Sequence, residues 1–154
     1  MSWHSDTDLQ FMAQAIELAK QADADGEVPV GAVVVHNGEI IGRGRNRCEK
    51  GASAVAHAEI EAISQASAHI GDWRLSGCEL YVTLEPCPMC AGAILNARLD
   101  RVVYGAADEK GGAVGSVIHM FDLPFGHRPR VTNGVLKEEC IQLLTDFFCG
   151  LREE

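Results

Sequence analysis

Apolar side chains recur every three or four positions from Asp6 to Ala24, at Leu9, Met12, Ala13, Ile16 and Ala19, and predict an amphipathic helix. Asp6 or Thr7 can cap its start, and Asp25-Gly26 ends it. The period then changes. Val30 to His36 is a β-branched run, Glu39 to Gly42 is a second, and Asn37-Gly38 lies between them. Both central residues of a type I′ turn need positive φ, which Asn-Gly tolerates, so the segment predicts a hairpin. Pro29 suits the lead-in to the first strand, where no ladder donor is needed. A second helix is expected over Ala56 to Ala68, with Ile60, Ile63 and Ala66 on one stripe. Cys78 to Leu84 reads as a strand, and Pro88 to Ala97 as a helix opened by proline at its first turn. Arg101 to Gly105 is another short strand, Asp108 to Gly115 a glycine-rich loop, residues 131–136 a further short strand, and Glu138 to Leu151 a terminal helix.

Strand, helix, strand in the second half implies a right-handed crossover and parallel pairing. Joined to the hairpin, it predicts a mixed, partly parallel sheet with helices on both faces, a three-layer α/β/α fold. The 154 residues are enough for one domain spanning 1–154, with no internal repeat or linker to divide it.

Composition narrows the classes. Hydrophobic residues make up 47%, an ordinary globular level, and no apolar run approaches the roughly 20 residues of a bilayer span. The start Met1-Ser2-Trp3-His4-Ser5-Asp6 lacks a secretory pattern, which predicts a cytoplasmic protein. Without such a signal, six cysteines argue against a disulfide framework, and Cys48, Cys78, Cys140 and Cys149 are expected as free thiols. The net charge of -9 is unfavourable for phosphate contacts. Arg43, Arg45, Arg47, Arg128 and Arg130 could still form a basic rim, or be ordinary solvated arginines.

Two short segments carry the chemistry: His57-Ala58-Glu59, and Pro86-Cys87-Pro88-Met89-Cys90. Cys87 and Cys90 are three apart and share one face of a helix's first turn, where the dipole and unpaired N–H groups favour thiolate. His57 stands at the start of the preceding helix, so two helix starts converge beyond one edge of the sheet. One imidazole and two thiolates suit zinc and leave a fourth tetrahedral position for water. Two thiolates weaken the ion as a Lewis acid, and Glu59 is placed to help the water lose its proton. The pairing of H-x-E with P-C-x-x-C marks the zinc-dependent nucleobase deaminases. Two other readings exist. A structural zinc would need a fourth protein ligand such as Cys78 or Cys48, and a redox C-x-x-C would leave His57 and Glu59 without a task. The other histidines, His4, His36, His69, His119 and His127, read as surface residues.

The run Thr83-Leu84-Glu85-Pro86-Cys87-Pro88-Met89-Cys90-Ala91-Gly92-Ala93-Ile94, with Asn46 upstream and Asp108-Glu109-Lys110-Gly111-Gly112-Ala113 downstream, closely resembles the bacterial tRNA-specific adenosine deaminases. Leu143 to Phe148 resembles their terminal helix, and the likeness covers about residues 6–149. The resemblance implies a cytidine-deaminase-like fold, a homodimer, and conversion of the wobble adenosine of a tRNA anticodon to inosine. It implies zinc ligation by His57, Cys87 and Cys90, and proton transfer by Glu59. Asn46 would contact the flipped nucleotide, Pro29 and Val30 would form part of the pocket wall, and Lys110 would lie near the RNA. A free-base or nucleoside deaminase acting on guanine or cytosine shares the zinc chemistry and is the first alternative. A zinc-stabilised binding domain without catalysis is the second.

Overall fold

The computed structural model describes residues 4–153. The reading of Met1-Ser2-Trp3 as free of a signal pattern falls outside them. Four helices and five strands follow in order: α1 Asp6–Ala24, β1 Gly31–His36, β2 Glu39–Arg45, α2 Ala58–Ile70, β3 Cys78–Leu84, α3 Pro88–Ala97, β4 Arg101–Ala106, β5 Arg130–Thr132 and α4 Lys137–Glu153. A one-turn 3₁₀ helix, Met120–Asp122, was not anticipated. The sheet runs β2-β1-β3-β4-β5, antiparallel across β2-β1-β3 and parallel across β3-β4-β5. The expected mixed, partly parallel α/β sheet is therefore present. Among the described residues no helix is long and apolar enough to cross a membrane.

Alternation along the strands divides the apolar residues between two cores. Ala32, Val34, Leu80, Val82 and Val102 face α2 and α3, while Val33, Val35, Tyr81 and Val103 face α1 and α4. This is the three-layer arrangement. Asn37 and Gly38 have φ of 50° and 79°, as the hairpin required.

Several boundaries differ from expectation. Ser5, not Asp6 or Thr7, caps α1: its Oγ accepts the Asp8 N–H at 3.0 Å. β2 continues past Gly42 to Arg45, and the buried stripe of α2 is Ala58, Ala62 and Ala66, with Ile60 and Ile63 at its flank. One cause explains both. A Cβ on Gly44 would lie 2.0 Å from the Ala58 carbonyl oxygen, and one on Gly42 2.1 Å from that of Ala62. Strand and helix approach so closely that only glycine against alanine fits, and the bulkier isoleucines are turned aside. Of the five arginines suggested as a basic rim, Arg43 and Arg130 are exposed and three form ion pairs. Arg45 pairs with Asp25, Arg47 with Glu61 and Arg128 with Asp122. His127 also differs from a free surface histidine, since its Nε2 lies 2.8 Å from the Leu99 carbonyl. All six cysteines are free thiols.

A polar knot ties α1 to the sheet. Arg101 bridges both carboxylate oxygens of Asp8 at 3.0 and 2.7 Å, reaches Glu79 at 2.8 Å and also donates to Thr132. The Tyr81 hydroxyl donates to Asp8 at 2.7 Å. Burial acts to raise the Asp8 carboxyl, but the hydrogen bonds from Arg101 and Tyr81 and the guanidinium charge outweigh it and hold Asp8 below its ordinary range. A carboxyl lowered on folding stabilises the fold above its unfolded pKa of about 3.9 and loses that contribution as pH falls through the lower folded value. Urea melts of the wild type should therefore weaken on acidification below about pH 4. Arg101→Met should cost about 3 kcal/mol at neutral pH and flatten that acid limb. An unchanged acid limb in the variant would remove Asp8 as its source.

Candidate metal centre and adjoining clefts

The sheet puts two helix starts side by side. β3 ends at Leu84, and the turn Glu85-Pro86 delivers Cys87 as the N-cap of α3, with Pro88 at the first helical position. His57 is the N-cap of α2. His57 Nδ1 lies 3.7 Å from Cys87 Sγ and 3.5 Å from Cys90 Sγ. A tetrahedral ion with bonds of about 2.3 Å to sulfur and about 2.0 Å to nitrogen holds such donors about 3.6 Å apart. The three side chains therefore fit a metal ion by both donor type and spacing. They form the one three-residue cluster of ligand-type side chains with this spacing among the described residues. Neither alternative fourth ligand joins it. Cys78 opens β3, roughly 20 Å from its far end at strand rise, and the Cys48 thiol points at the Ala56 carbonyl, 3.7 Å away.

The two sulfurs are electrostatically unlike. The hydrogen bond from the Cys90 thiol outweighs desolvation at Cys87 and, with the Cys90 and Met89 N–H groups and the His57 charge, brings Cys87 down to about 5. Its tie to Cys87 and its own burial push Cys90 up. The surroundings therefore favour the charged form at Cys87 and the neutral form at Cys90. Glu59, in the first turn of α2, is 4% exposed, and burial pushes its carboxyl up to about 7. The Cys90 thiol acts on that carboxyl and the carboxyl on the thiol, which puts Glu59 beside the donor set.

Asn46 follows β2 and holds the start of α2. Its Oδ1 accepts the Ala58 N–H at 3.0 Å, and its own N–H reaches the Val30 carbonyl at 3.2 Å. The Asn46 side-chain oxygen is thereby committed to the helix, and its amide N–H groups are what it can offer a ligand. Asn46 lines a cleft of about 300 Å³ with Cys48 and Phe147, and Lys110 lines one of about 840 Å³ with Leu84 and Leu144. Val28, Phe148 and Leu151 line both clefts, so α4 closes over each. Pro29 and Val30, which follow Val28 in the chain, are buried and line neither cleft, and Val30 packs into the core on the α2 side. Lys110 is exposed.

A family model described as MafB19-like deaminase matches residues 6–152. The tRNA-specific adenosine deaminase of Bacillus subtilis (strain 168) is 49% identical over 148 residues, covering 96% of this chain and 92% of that protein. Its namesake from Haemophilus influenzae is 50% identical over 152 residues, covering 97% and 88%. The chain belongs to the tRNA-specific adenosine deaminase family. Solved structures agree with the assignment. A chain from work on A-to-I editing by tRNA:A34 deaminases at the wobble position of transfer RNA superposes with a TM-score of 0.85 at 46% identity, covering 88% of this deaminase and 99% of that chain. The guanine deaminase of Nitrosomonas europaea follows at 0.73 and 30% identity, covering 90% and 83%.

Two residues of this deaminase family member escaped the sequence reading. Glu27 and Glu85, each 2% exposed, carry buried carboxylates that grip backbone. Glu27 accepts the Glu49 and Lys50 N–H groups at 3.0 and 2.8 Å and so secures the loop after Asn46. Glu85 does the same for the loop that carries Lys110. The one available signal was a charged residue directly after an apolar strand, as Glu85 follows Cys78–Leu84.

Proposed function

We propose that this chain hydrolyses adenosine to inosine at the wobble position of a tRNA anticodon, with residues 1–154 forming one zinc-dependent deaminase domain. The observation that carries the reading is the buried Glu59 carboxyl beside the His57, Cys87 and Cys90 donor set. His57 Nδ1, Cys87 Sγ and Cys90 Sγ would hold zinc, which when bound supplies Lewis-acid activation of a water. Glu59 takes a proton from that water as its oxygen adds to C6 of adenine. Glu59 then delivers protons to the ring nitrogen and to the departing amine, so the C6–N bond breaks and ammonia leaves. Asn46 donates from its free amide to the flipped nucleotide, and Pro29 and Val30 back the pocket wall through Val28. Lys110, exposed on the larger cleft, meets RNA phosphate. An anticodon loop offers unpaired bases at low unstacking cost, which suits a site that must take the base out of its stack.

The test is side-by-side incubation of the zinc-loaded protein with tRNA, guanine and cytidine, reading ammonia release, then mass spectrometry of the tRNA for inosine at the wobble site. Ammonia from tRNA alone is expected. RNA binding should weaken with salt, with a slope of roughly -0.7 per phosphate contacted. Release from guanine instead would favour the reading that the guanine deaminase likeness also supports.

The family relationship further supports a homodimer and a cytoplasmic location. The apolar groove between α2 and α3, lined by Ile60, Ile63, Trp73 and Ala93, is the surface we assign to the second copy. Trp73 is 55% exposed there. Sedimentation velocity should show twice the chain mass for the wild type and a monomer for Trp73→Glu. A wild-type monomer would remove the dimer.

A further inference from the structure

Glu85 stands between the apolar strand β3 and the Cys87 turn, and its two carboxylate oxygens receive four hydrogens from one loop. Oε1 accepts the Asp108 N–H at 3.1 Å and the Ser116 hydroxyl. Oε2 accepts the Val114 N–H at 3.0 Å and the Ser116 N–H at 3.1 Å. Gly112 lies flat against the same group: a Cβ there would fall 2.3 Å from the Glu85 carboxyl carbon. One residue on, the Pro86 carbonyl accepts the Ala113 N–H at 2.9 Å. The loop so held, 108–116, carries Asp108, Glu109 and Lys110 along the 840 Å³ cleft. Those side chains are exposed or half-exposed, and Asp108 spends its Oδ1 on the loop's own Lys110 and Gly111 N–H groups. The loop's own ties are short-range, such as the Gly112 N–H to the Asp108 carbonyl at 2.8 Å and the Val117 N–H to the Gly112 carbonyl at 2.9 Å, whereas Glu85 and Pro86 join it to the turn after β3.

We infer that Glu85 is a positioning residue for substrate, which fastens the 108–116 loop to the turn carrying Cys87 and thereby sets the cleft against the metal centre. A buried carboxylate that accepts four donors satisfies every lone-pair direction it has. Glutamine has the same shape but turns an N–H2 toward two of those donors, so hydrogens face hydrogens. Each orphaned buried donor then carries a full desolvation penalty. The loop is released while the three metal-ligand side chains stay untouched. The inference rests on the deaminase reading only in taking this cleft as the substrate side.

The experiment compares the zinc-loaded wild type with Glu85→Gln, Gly112→Ala and Ser116→Ala. Three quantities are read: zinc per chain, amide hydrogen exchange over 108–118, and kcat and KM for ammonia release from an anticodon stem-loop. Glu85→Gln and Gly112→Ala should keep one zinc per chain, speed exchange in the loop about tenfold or more, and raise KM by a similar factor with a smaller change in kcat. Ser116→Ala removes one hydroxyl from an exposed residue and should give the same pattern at smaller size. It serves as the deciding variant if Glu85→Gln fails to fold. Wild-type loop exchange and KM in the folded variants overturn the inference. Loss of zinc with unchanged loop exchange also overturns it, since Glu85 would then support only Cys87. If the wild type releases no ammonia from RNA, the substrate reading fails on its own, while faster loop exchange in the variants still upholds the brace.

Discussion

Glu59→Ala retains about one zinc per chain and loses on the order of 10²–10⁴ in turnover, the contribution of a positioned general acid–base group. The separation of the two readouts follows from geometry. The donor set is His57, Cys87 and Cys90, and Glu59 is not among them. Its carboxyl lies beside Cys90, buried to 4% exposure, where burial raises it. A carboxyl kept in so unfavourable a place contributes little to the fold, so the variant should melt no lower than the wild type and may be compared at equal folded fraction. Zinc content is read by atomic absorption and turnover by ammonia release. A variant that keeps full activity would end the proton-transfer role of Glu59. One that loses its metal would instead make Glu59 a ligand.

Cys87→Ala has a larger consequence, because it removes the ion itself. Cys87 caps α3, and its thiol, tied to Cys90 and to the first N–H groups of the helix, is brought to about 5. Without it the donor set is reduced to His57 and Cys90, which make a poor site on their own. Zinc should fall well below one per chain, and ammonia release should drop to background. Stability should change in a way that identifies the cause. Metal bound only by the folded state adds about 2.7 kcal/mol when present at a hundredfold its Kd. The variant should then melt where chelator-treated wild type melts, and added zinc should raise the wild type alone. A variant that still binds one zinc tightly would show that the centre is held by other groups.

Most of the element plan was open to inspection in the chain. β3 and α3 appear over the spans expected, Cys78–Leu84 and Pro88–Ala97, because local signals act there without competition: β-branched residues, then a proline that starts a helix. The convergence of His57 with Cys87 and Cys90 was also legible, since motif spacing and strand order together bring two helix N-termini to one end of the sheet. Other features were not. Ile60 and Ile63 outrank Ala58 and Ala62 in hydrophobicity, yet the alanines are buried, because Gly42 and Gly44 admit only a small residue. For the same reason Arg43-Gly44-Arg45, which lacks the look of a strand, pairs with β1 to its end.

Periodicity and motif chemistry are local properties, written in residues a few positions apart, and from them come the three layers, the donor set and the proton carrier proposed for this deaminase. The roles of Glu27 and Glu85 belong to another category. Their partners are backbone N–H groups 22 to 31 positions away, which every residue but proline possesses and which no residue type announces. Folding alone selects which amides meet which carboxylate, and with that choice it sets the clefts on either side of Phe148.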